Sequence, residues 1–261
     1  MNTLISLSAY DLMLASLLVL ALAGLGARMN LGISQQLIIA ALRTTAQLLL
    51  IGLVLKQIFE TAQLPLIVLM MTVMLTVAAW EILARQKRKI KGWWGFGISI
   101  FSLFVSSFLI TLIALFLIIK TVPWYTPQYA IPLLGMLLGN TMNGIALGMD
   151  RLIQTAWQQR AIIEQRLMLG QTAMEAIREI RHESMRAGMI PIINAMAAAG
   201  IVSLPGMMTG QILSGTEPLI AVKYQIAIMS VITGSVALTT FLILRLGYRS
   251  YFTSHQSLRD D

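Results

Sequence analysis

The chain has 261 residues, 57% of them apolar and only 11% charged, with a mean hydropathy of +0.78. Soluble domains carry roughly 25% charged residues, so most of this length belongs in lipid. The absence of cysteine excludes disulfides, thiolate metal sites and cysteine nucleophiles, and the net charge of +8 reads as a topology signal rather than as a nucleic-acid footprint.

About 20 consecutive apolar residues cross a hydrocarbon core. Seven stretches meet that criterion, at about 8–27, 34–55, 64–84, 93–119, 130–149, 190–213 and 219–244. The predicted fold class is therefore all-α: a polytopic membrane protein of about seven transmembrane helices, one domain over 1–261 with a polar segment at 150–189. The first stretch lacks a basic region and a small-residue cleavage site before it, so it is expected to be retained as a span. With the N-terminus outside, 16 of the 19 basic residues fall on inner segments, leaving Lys56, Lys120 and Lys223 outside. Positive-inside reasoning then puts the C-terminus inside. Trp124, Tyr125 and Tyr129 are expected at the outer interface, and Trp93 and Trp94 at the inner one beside the headgroup-contacting run QKRKIKG.

Polar residues within the spans are the candidates for a path. In the third, Glu81 is one of few carboxylates near membrane depth; it either pairs with Arg85 four residues on or faces the path. The fifth holds two small-xxx-small pairs, Gly135/Gly139 and Gly144/Gly148, which predict close helix contact. Asn140 and Asn143 lie three apart on roughly one face, either bonding across helices or lining a hydrated route. The sixth contains Asn194, Gly200, Ser203, Pro205 and Gly206, a break of the kind that marks transporter substrate paths, with a packing kink as the plainer reading. Met207 and Met208 follow it. Thioethers are soft ligands, but with 17 methionines in the chain most must fill gaps. The metal ligands are unknown from sequence, with Glu81, Met207 and Met208 as weak candidates.

Between the fifth and sixth spans the sequence turns polar. Arg160 and Glu164 are spaced to pair on a helix. Gly170 supplies a residue tolerant of the left-handed conformation that ends helices, and Thr172 with Glu175 forms a capping box. Gly170–Gln171–Thr172 thus predicts a corner between two helices. The second helix carries a stripe of Ala173, Ala176, Ile177, Ile180, Ser184 and Ala187. Its other side, with Glu175 and Arg178, is either a solvated face or a surface for a soluble partner. No Gly-rich phosphate loop with its Lys occurs, and no nucleophile–base set, so the chain is not expected to be an enzyme.

The stretches IPLLGMLLGN (131–140), MRAGMIP (185–191), GIVSLPGMMTG (200–210) and AVKYQI (221–226) closely resemble the FetB-like permeases, membrane subunits of bacterial ABC transporters linked to iron export. Plant aluminium-tolerance membrane subunits look related. The resemblance covers nearly the whole chain, including ALRTTAQLLLIGLVLKQIF (41–59). It implies a multi-pass permease of the bacterial inner membrane, two copies with two separately encoded ATPases, moving iron out of the cytoplasm. ATP and Mg would sit on the ATPase, with no cofactor on this chain; lipid but no nucleic acid would be a partner. Glu164, Gly170, Gln171, Thr172, Glu175 and Arg178 are then the coupling residues. Glu164 and Gly170 have the Glu-to-Gly spacing of six that ABC coupling loops commonly show, although the Leu-Pro of importer loops is missing. Glu81, Asn140, Asn143, Asn194, Ser203, Pro205, Gly206, Met207 and Met208 are the path candidates. The alternatives are an ABC permease for an organic conjugate such as a nucleotide sugar, a gradient-driven carrier, and a membrane scaffold.

Overall fold

The computed structural model describes residues 8–30, 32–85, 97 and 100–247. The expectations for QKRKIKG, Trp93 and Trp94, and for the Arg85 side chain, lie outside them. The chain divides into two compact units, one of Met1–Gln63 with Leu213–Gly215 and one of the remainder.

The first unit is a helical hairpin of α1 (Ala9–Arg28) and α2 (Ser34–Thr61). Ser8 starts α1 with a capping box closed by Asp11. At Gly26 a Cβ would lie 2.9 Å from Ser34 Oγ, so a larger residue there would make the Ser34 hydroxyl turn away. Large apolar side chains such as Leu17, Leu48 and Leu53 are exposed around both helices. Water does not tolerate an apolar surface of that extent; lipid does.

The second unit begins with α3 (Leu64–Arg85) and α4 (Ile100–Ile119). It continues through α5 (Pro127–Gln158), α6 (Arg160–Met168), α7 (Ala173–Ala176), α8 (Arg178–Ala198), α9 (Gly206–Leu213, save its last residue) and α10 (Pro218–Gly247). α5 is central and packs on α3, α8 and α10. Leu133 and Leu137 of α5, Ile192 of α8, and Ile228 and Val236 of α10 share one apolar core with Leu115 of α4. The predicted interfacial rings partly turn inward: Trp124 stacks on Phe116 at 5.1 Å, and Tyr129 packs against the core.

Among the described residues six helices are long and apolar enough to span a membrane: α1 to α5 and α10. The described residues form helices joined by turns and short irregular connections, with no strand and one isolated bridge between Ala199 and Ser203, as an all-α polytopic membrane protein requires. The stretch at 190–213, expected as a seventh span, is not one continuous helix. α8 stops at Ala198 and α9 starts at Gly206. Pro205 has no N–H to continue a helix, and Gly200 sits at φ +85°, a left-handed conformation. The polar segment differs too: α5 continues without interruption to Gln158, well beyond the expected end of the fifth span.

Candidate functional site

The polar corner is built from local rules. α6 closes in a Schellman motif, with Gln171 N–H donating to Arg166 O (3.1 Å) and Gly170 N–H to Leu167 O (3.0 Å). Gly170 at φ +88° makes this reversal possible. Thr172 then caps α7: its N–H and hydroxyl donate to Glu175 Oε2 at 2.9 and 2.8 Å. The stripe predicted for the second helix is buried at Ala176, Ile177, Ile180 and Ser184, with a brief interruption at Ile177 dividing α7 from α8.

Ion pairs brace this corner from outside. Arg160 Nε donates to Glu164 at 2.7 Å, the pairing that the spacing predicts, so Glu164 stiffens α6. Arg166 reaches across the corner to Ala176 O (3.1 Å) and Glu179 (3.0 Å). Arg151 of α5 holds Glu183 of α8 at 2.8 Å. Arg166, Leu169, Gly170, Gln171, Glu175, Arg178 and Glu179 line an open notch of about 490 Å³. Arg166, Arg151 and Glu183 were not singled out from sequence, because their partners come from other helices.

The Thr172 backbone N–H, and then its hydroxyl, hold the Glu175 carboxyl below its ordinary range. Its folded pKa is depressed, so the cap's contribution is complete above the ordinary Glu value and lost as pH falls through the folded one. We expect amide protection around Ile177, corrected for intrinsic exchange, to hold between pH ~6 and ~8 and fall only below ~4. Glu175→Ala should lose it throughout. Protection that declines between pH ~6 and ~8 would show that another group controls the corner.

The corner is joined to the spans by a tight crossing. A Cβ on Gly188 would lie 2.7 Å from Gly144 O, and one on Gly144 would lie 3.0 Å from Gly188 O. Gly148 faces Ser184 O at 3.2 Å, and Thr240 of α10 closes the same contact. The Gly144/Gly148 pair is thus the close-contact motif expected, and Ser184/Gly188 is its counterpart on α8 with the same four-residue spacing. Of the other pair, Gly135 meets Met74 Cε at 3.2 Å, while Gly139 meets nothing within 4 Å.

The path candidates fall into two groups. Asn140 is half-buried and donates to Met136 O of its own helix at 2.8 Å. Asn143 and Asn194 are exposed, and neither amide finds a partner among the described residues. These amides therefore do not bond one helix of this chain to another. Ser203 and Gly206 are exposed, Pro205 is half-buried, and Ile201 and Val202 beside them are 91% and 83% exposed. The break is thus uncovered within its own unit. Met207 packs against the apolar core with Met136 and Met189, as a gap-filler does, and Met208 and Glu81 are half-buried. Among the described residues no three His, Cys, Asp or Glu side chains gather.

A buried hydroxyl seam was not anticipated. Ser102, Ser106, Ser107 and Thr111 of α4, and Ser235 and Thr239 of α10, are all inaccessible to solvent. Ser106 bonds Thr239, and Ser107 Oγ lies 3.4 Å from Ser235 Oγ. α4 runs as π-helix over Phe104–Phe108 and Ala114–Ile119. The legible signal was Ser102/Ser106, Ser107/Thr111 and Ser235/Thr239, each four apart in otherwise apolar spans. Thr239→Val is expected to lower stability in detergent by about 0.5–2 kcal/mol; an unchanged melting temperature would show that the seam does not bind the helices together.

A bundle of long, lipid-facing helices with one braced polar corner defines a polytopic helical membrane protein. The family model of the uncharacterised protein family UPF0014 matches residues 9–252, and the chain belongs to that family. It is 40% identical to the UPF0014 membrane protein slr1647 of Synechocystis, over 88% of each chain. It is 32% identical to the probable iron export permease protein FetB of Escherichia coli, over 95% of this chain and 93% of that one. The protein ALUMINUM SENSITIVE 3 of Arabidopsis thaliana is 30% identical over 88% and 82%. No solved structure matches.

Proposed function

We propose that the chain is the permease subunit of an ABC-type transporter in the bacterial inner membrane, exporting iron with ATP hydrolysed by a separate subunit. One observation carries the reading: a compact, fully capped corner at Gly170–Thr172, joined to the spans through the Gly144–Gly188 crossing. Motion imposed at such a corner passes along α8 to the Pro205–Gly206 break rather than dissipating in a loop. The name of the E. coli relative supports iron as the substrate. In this reading the corner is cytoplasmic, the N-terminus is outside and the C-terminus inside.

Irregular backbone at membrane depth is tolerated only where protein or a cavity covers it. The exposure of Ile201 and Val202, and of the Asn143 and Asn194 amides, supports a second copy of this chain as that cover, with the substrate path between the copies.

The test is purification of the tagged chain in mild detergent from its native membrane, scored for a stoichiometric ATP-hydrolysing partner. That partner should be lost when 170–178 is scrambled, and ATP-dependent iron efflux from vesicles should be lost with it. A chain that transports iron without any ATPase would instead be a gradient-driven carrier.

A further inference from the structure

The charges on α8 divide by flank. Glu179 and Glu183, four apart, lie on one side, and both are taken by arginines of other helices: Arg166 at 3.0 Å and Arg151 at 2.8 Å. At about 100° per residue, Arg178 and Arg181 fall on the opposite flank, one turn from each other. Neither guanidinium has a hydrogen bond or ion pair among the described residues. Arg178 is exposed and lines the notch between the end of α6 and the start of α8. Arg181 is half-buried, and its Nη1 is buried without a hydrogen-bond partner. A guanidinium that has lost water without gaining an acceptor is destabilising. Two positive charges a turn apart, one of them short of an acceptor, reinforce each other's attraction for an anion. The nearest unpaired acid in the notch, Glu175, is already engaged by Thr172.

Depth decides between a lipid phosphate and a protein carboxylate. Arg186 is the last charge before the apolar run of α8. Arg178 lies about 12 Å further along the helix, away from the membrane. The headgroup layer is only about 5–8 Å deep on each side. With α8 along the membrane normal and Arg186 at the headgroup level, Arg178 would stand beyond that layer.

We infer that Arg178, backed by the charge of Arg181 one turn on, forms a carboxylate receptor on the corner, and that the group it holds is an Asp or Glu of the partner ATPase. This deepens, and rests on, the permease reading above. The receptor gives the corner a polarity: one flank is braced within the chain, and the other is completed only by the partner.

The ATPase recovered with the wild-type chain would be purified and rebound to the chain in detergent at low and high salt. Arg178→Glu is expected to weaken binding roughly tenfold or more at low salt, and Arg178→Gln to weaken it less and flatten its salt dependence. Arg178→Lys, which keeps the charge, should bind within about threefold of wild type. Among the described residues the Arg178 side chain has no partner, so these variants should elute from gel filtration as wild type does. An Asp or Glu→Arg change in the ATPase that restores binding of Arg178→Glu would identify the residue held. Wild-type affinity and salt dependence in Arg178→Glu would overturn the receptor and leave the ATPase reading standing. Failure of the wild-type chain to retain any ATPase would overturn both. If Arg178→Glu instead loses only its stabilisation by phosphatidylglycerol nanodiscs, the occupant is a headgroup and the inference fails.

Discussion

Gly188→Leu is expected to abolish the folded bundle, and Gly188→Ala to destabilise it by about 1–3 kcal/mol, the usual range for overpacking a tight contact. The clash has no soft partner. A Cβ at Gly188 would meet the backbone oxygen of Gly144 at 2.7 Å and Thr240 Cγ2 at 2.9 Å, so two helices would have to separate. Separation would also weaken the core that Ile192 and Val236 share with Leu137. The measurement is the melting temperature of purified protein in one detergent, with Gly139→Ala as control. Gly139 has nothing within 4 Å of its virtual Cβ, and its variant should melt as wild type does. A Gly188→Leu protein with an unaltered melting temperature would mean that α5 and α8 do not cross there.

Gly170→Pro should leave the spans folded and disable the corner. Proline fixes φ near −65°, whereas Gly170 stands at +88° and its N–H donates to Leu167 O at 3.0 Å. Both the conformation and the bond are lost, and the chain can no longer reverse into Thr172. ATPase retention and transport should each fall roughly tenfold or more, with expression and melting temperature of the membrane bundle near wild type. Gly170→Asn, which tolerates the left-handed region, should keep most of both. Full transport by the proline variant would place the entry of motion elsewhere.

Local chemistry explains what could be read ahead. Gly170, Thr172 and Glu175 form a corner through bonds between residues no more than a few positions apart, so the chain announces it. The same holds for the Arg160–Glu164 pair and for the Ala176–Ile177–Ile180–Ser184 stripe. Features that depend on two distant elements were legible only by half. Gly144/Gly148 marked one side of a crossing, but nothing in that stretch names Gly188 as the other. The Ser106–Thr239 bond joins residues 133 positions apart. Gly200 and Pro205 announced a break in the stretch at 190–213, but not its extent: α8 stops at Ala198 and helix resumes only at Gly206, so the stretch is not one kinked span. Asn140 was weighed as a bond between helices, and its amide is instead spent on Met136 of its own turn.

The 32-residue helix α5 is held near its middle. From Gly148 to Gln158 is about 15 Å, and from Gly144 to Pro127 about 26 Å. The tightest contact of α5 is the glycine crossing, and a rigid tilt about that point would have unequal arms. Any tilt about it moves the two ends in opposite senses, and the Pro127 end travels roughly 1.7 times as far as the Gln158 end. Seesaw geometry of this kind turns a small push at the charged end into a larger, inverted displacement across the membrane.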